Sequence, residues 1–170
     1  MAILHLAAAA AQRGEQAGAI ALFDEGMRGQ RAIGTATLTM WSAALVVPVL
    51  NAADAETLLA EQLRHVEATD ERWCEADIYR VRGEIAWRRG NLPTAEAHLI
   101  KAIAIARRQD ARHWELRAAT SLARLWRDQG KRAEARDLLA PIYGWFTEGF
   151  DTADLKEAKT LLDELRDASE

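Results

Sequence analysis

A single cysteine, three prolines and no apolar run of membrane-spanning length set the first limits on this 170-residue chain. Cys74 alone makes no intrachain disulfide and no cysteine-based metal site, which fits a reducing compartment. No stretch reaches the roughly 18 consecutive apolar residues that a bilayer-spanning helix needs. The apolar opening, Met1–Gln12, has no basic residue ahead of it and so does not read as a secretory leader. The expectation is a cytoplasmic protein without membrane contact. His5, His65, His98 and His113 lie far apart, never at a metal-ligand spacing. Ser42, Ser121 and Ser169 have no neighbouring base. No catalytic residue, metal ligand or cofactor is predicted, and the chain reads as a non-enzyme.

Positive charge is also in short supply, with a net charge of −4. It is unevenly spread: residues 1–70 carry a net −4, residues 71–136 a net +6, and residues 137–170 a net −6. An overall negative chain argues against generic nucleic-acid binding. A basic middle between acidic ends suits an acidic protein partner, or simply a solvated arginine surface.

Alanine is abundant, and it is the best helix former. Setting Gly90 over Gly130 aligns two forty-residue blocks, each a helix, a glycine turn and a second helix opening with small residues. Glycine takes the left-handed conformation that closes a helix, and Pro93 falls in a first turn, where its missing donor does no harm. Ala95 and Ala135 recur where the helices of a hairpin come closest, with Tyr79, Trp87, Leu99, Trp126 and Leu139 filling the space around them. Ala55 continues the period backwards. A lone hairpin cannot bury its apolar stripe, but stacked neighbours can.

The predicted fold is therefore all-α, a right-handed superhelical stack of antiparallel helix hairpins with about nine helices. One domain spans 1–170, with hairpins near 2–30, 36–69, 72–109 and 112–146 and a capping helix at 153–167. Pro48 should kink or end the helix near 36–49. Apolar Ile3, Leu4, Leu6, Trp41, Val46 and Val47 suggest weak homodimerisation through the N-terminal half.

The first helix of each hairpin lines the concave face of such a stack. With Tyr79, Gly83 and Ala86 inward, the exposed neighbours are Asp77, Arg80, Glu84 and Arg88, then Arg117, Thr120, Arg124 and Arg127 in the next repeat. Arginine grips carboxylates through paired hydrogen bonds. Arg80, Arg88, Arg117, Thr120, Arg124, Arg127 and Trp87 are the candidate partner-binding residues, for an acidic or C-terminal peptide. The repeated tryptophans first mean packing between hairpins, with one or two left to line a groove.

Three stretches resemble one bacterial family: Glu71–Glu84, Trp114–Trp126, and Tyr143–Thr152 running into Asp154–Ala158. They are similar to the C-terminal tetratricopeptide region of regulatory ATPases, many fused to class III adenylate or guanylate cyclase domains. The resemblance is close over 67–167 and looser over 1–66. It implies a helical sensor or scaffold. No phosphate loop of the Gly-x-x-x-x-Gly-Lys-[Ser/Thr] kind accompanies it, nor a cyclase-like set of metal-binding aspartates, so the nucleotide chemistry does not carry over. The leading expectation is a non-catalytic protein-interaction module in a signalling ATPase or cyclase system. A small-ligand-sensing helical domain and a nucleic-acid-binding regulator remain the alternatives.

Overall fold

The computed structural model describes residues 2–33 and 52–167. Eight helices occur among them: α1 (Ala2–Gln12), α2 (Gln16–Ile33), α3 (Ala52–Thr69), α4 (Glu75–Arg88), α5 (Leu92–Arg108), α6 (Arg112–Asp128), α7 (Arg132–Gly144) and α8 (Ala153–Asp167). No strand occurs among the described residues. The all-α expectation holds. The helix expected near 36–49, with its Pro48 kink and the apolar Trp41, Val46 and Val47, lies outside the described residues.

The turns explain the rhythm. Backbone φ is positive at Asp70 (59°), Gly90 (76°), Asp110 (51°) and Gly130 (81°), a spacing of twenty residues. At three of these turns two backbone bonds close the helix. Gly90 N–H donates to Trp87 O and Asn91 N–H to Ala86 O; Asp110 and Ala111 repeat this with Arg107 and Ala106, and Gly130 and Lys131 with Arg127 and Trp126. This is the Schellman arrangement, which satisfies carbonyls that a helix end leaves open. At Asn91 the side chain then accepts a bond from Thr94 N–H, capping α5.

Aspartate stands in place of glycine at every second one of these turns, and a neighbouring arginine pairs with it. Arg72 bridges Asp70 (2.5 Å) and Glu75 (3.2 Å). Forty residues later, Arg112 bridges Asp110 (2.9 Å) and Glu115 (3.1 Å). Aspartate is among the few residues other than glycine that tolerate this backbone region.

The chain divides into two compact units, Met1–Val81 and Arg82–Glu170. In the first, α1 and α2 form a hairpin that buries Ala7, Ala10, Ala19 and Phe23, while α3 buries Ala55, Leu58, Leu59 and Val66. Cys74 is buried there too, and loss of solvent, then the charge of Asp77, pushes its thiol up to about 12.

In the second unit α6 packs on α5, α7 and α8. Leu116, Ala118, Ala119, Leu122, Ala123 and Leu125 of α6 are all buried. Ala95 and Ala135 are wholly buried, whereas Ala104 is exposed. Gly83 meets α5 so closely that a Cβ there would lie 2.7 Å from Leu99 Cγ and 3.2 Å from the Ala95 carbonyl. The last helix, α8, turns Leu155, Ala158, Leu161, Leu162 and Leu165 inward and leaves Lys156, Lys159, Glu164 and Arg166 outside. That polar outer face suits the end of a stack.

Candidate functional site

Helical spacing puts Arg117, Arg124 and Arg127 over overlapping faces of α6. The structure places a row of acids opposite them on α8. Arg117 lies 3.5 Å from Asp154, Arg124 contacts Glu157, and Arg127 lies 2.6 Å from Glu164. Both rows ascend together, so α6 and α8 run in the same direction. Arg127 also bonds Asp128 at 2.9 Å, and that hydrogen bond, more than any other influence, holds its pKa above the ordinary value. Arg132 adds a bond to the Glu164 carbonyl, and Arg117 sits over the Trp114 ring at 5.3 Å.

A partly open cleft of about 400 Å³ lies in the same unit, lined by Glu84, Trp87, Arg88, Ser121 and Arg124. Three of the sequence-predicted residues, Trp87, Arg88 and Arg124, therefore meet at one place. Ser121 Oγ donates to Glu84 Oε1 at 2.8 Å and fixes that carboxylate on one wall. Arg88 is exposed and has no carboxylate partner among the described residues. Two guanidinium groups, an indole and an oriented carboxylate suit an anionic group joined to an apolar or planar one.

Two candidates are not on an exposed face. Arg80 is 8% exposed, and its Nε donates to Asp77 Oδ1 at 2.5 Å. Thr120 is 5% exposed and donates to the Leu116 carbonyl. For Thr120 the reason is geometric: a helix packed by three others buries far more than a single stripe. Asp77, also expected outside, is buried with Arg80.

Arg107 bonds the buried Glu115 at 2.7 Å. Trp126 is half-buried and donates from Nε1 to Glu96 at 2.8 Å, in keeping with a packing role. Trp73 and Trp145 remain exposed.

Ser121 and the acids of α8 are what sequence reasoning missed as parts of this site. Their only signal was a recurring separation of 37 residues, seen in Glu84–Ser121, Arg117–Asp154 and Arg127–Glu164. No cluster of three or more potential metal ligands occurs among the described residues. No helix among them is long and apolar enough to cross a membrane.

Residues 74–140, which contain the cleft and its forty-residue period, match the tetratricopeptide repeat family. The match supports a tetratricopeptide repeat region over residues 74–140. Its helical hairpins agree with the fold expected from the sequence. No curated protein matches the chain. Tetratricopeptide repeats generally mediate protein–protein interaction or scaffolding, and the family is typically non-catalytic.

Proposed function

We propose that the chain is a non-catalytic interaction module whose cleft between α4 and α6 docks a peptide segment of a protein partner. The segment carries a carboxylate beside an apolar side chain. The observation that carries this reading is the convergence of Trp87, Arg88 and Arg124 on one cleft. Arg88 and Arg124 receive the carboxylate, Trp87 receives the apolar neighbour, and Glu84, on the same helix as Trp87 and Arg88, is held by Ser121 from the facing wall. Aromatic and arginine side chains in a partly enclosed site are the residue types that dominate binding energy.

The partner belongs to a signalling system of the ATPase or cyclase type, a context supported by the resemblance over 67–167. Self-association through the N-terminal half is a second contact, supported by Leu6, which is 54% exposed on α1. Sedimentation that stays monomeric at high concentration removes that contact.

The experiment is affinity capture on the full chain, identification of the partner, and comparison of two variants. Arg88→Ala should weaken binding about tenfold or more, with an unchanged unfolding midpoint. Lys101→Ala, an exposed change on α5 outside the cleft, should leave binding intact. Equal affinity for both variants contradicts the cleft as the docking site.

A further inference from the structure

The cleft and the α6–α8 ladder share one residue, Arg124. It lines the cleft, and its guanidinium contacts Glu157 of α8. Arg117 and Arg127 have acids opposite them as well, but neither lines the cleft. The geometry points to Glu157 as an internal competitor: it holds the cleft arginine while the site is empty, and an incoming carboxylate must share or take that arginine. This rests on the docking role proposed for the cleft.

Exposure decides that the exchange is feasible. The side chains of Arg124 and Glu157 are 35% and 40% exposed, so water compensates either group when the pair opens. The Arg80–Asp77 pair, at 10% and 3%, has no such compensation and is fixed. Opening the Glu157 contact does not require α8 to leave, because that helix is anchored by its buried leucines. The device sets a threshold. A weakly acidic segment does not displace Glu157, while one with a full carboxylate, supported by Arg88 and Trp87, does. Specificity then comes from a repulsive element as well as an attractive one.

The test uses the full chain and a fluorescein-labelled peptide, Leu-Glu-Leu-Glu-Leu-Asp with a free carboxyl end, read by polarisation. Its counterpart carries Gln and Asn in place of the acids and an amidated end. Glu157→Gln keeps shape and removes charge, and it should tighten the acidic peptide about threefold to fivefold, the scale of a half-exposed ion pair. Glu164→Gln removes the same charge from the same helix, but its partner Arg127 lies outside the cleft, so affinity should not change. Equal tightening by both variants means a general field effect and overturns the competition. No change, or weakening, with Glu157→Gln overturns it as well. Failure of the docking role looks different: acidic and neutral peptides then bind alike or not at all, and Arg88→Ala matches the parent chain.

Discussion

Ser121 Oγ donates to Glu84 Oε1 across 2.8 Å, joining residues 37 apart. The same separation joins Arg117 to Asp154 and Arg127 to Glu164, so α8 stands on α6 as α6 stands on α4. The final helix thus continues the row of first helices in register. Ser121→Ala removes a bond to a carboxylate and should lower stability by about 1 kcal/mol, read by denaturant unfolding. An unchanged midpoint would mean that this contact adds nothing to the α4–α6 register.

Close approach makes a sharper forecast. Gly83→Ala places a Cβ 2.7 Å from Leu99 Cγ, with the Ala95 carbonyl behind it. Leu99 is wholly buried and has little room to yield. Gly83→Ala and Ala95→Leu should each cost about 1–3 kcal/mol by overpacking. Ala104→Leu, at an exposed position, should be mild. Equal midpoints for all three would contradict the described crossing of α4 and α5.

Arg107 supports a buried carboxylate from an exposed position. Its side chain is 55% exposed, yet it bonds Glu115, whose side chain is 4% exposed. Arg107→Ala leaves that buried carboxylate with Arg112 as the arginine still facing it. The loss should be about 1–3 kcal/mol, measured by thermal or denaturant melting. A neutral result would show that Arg112 alone suffices.

Cys74 should be inert while the chain is folded. Burial first, then Asp77, raise its thiol to about 12, so the reactive thiolate is scarce at neutral pH. Because the folded value lies above the ordinary 9.0, its stabilising contribution is complete below pH 9 and is lost as pH rises towards 12. Reaction with a colorimetric disulfide reagent at pH 8 should follow the unfolding curve. Rapid reaction in the absence of denaturant would contradict the buried placement.

The all-helical class was legible because alanine content, apolar period and turn glycines at Gly90 and Gly130 all agree. The turns at Asp70 and Asp110 were not, since aspartate takes that backbone less readily than glycine and its pairing with Arg72 or Arg112 has no strong single-residue signal. The shared face of Arg117, Arg124 and Arg127 followed from helical spacing alone. Which acids oppose them did not, because α6 meets α8 only after α7 has turned back. The burial of Thr120 escaped for a related reason: α6 packs on three helices, so a face that looks free within one hairpin is covered by the stack.

The central claim is that an acidic, partly apolar segment enters the cleft beside Trp87. Two-dimensional NMR of the indole N–H groups tests it most directly, with the Trp87 signal assigned from Trp87→Phe. On titration with the acidic peptide, the Trp87 indole should shift saturably, while that of Trp145, which does not line the cleft, stays in place. The shift should vanish in Arg88→Ala. A Trp87 signal that does not move while another indole responds would place the binding surface elsewhere and contradict the account.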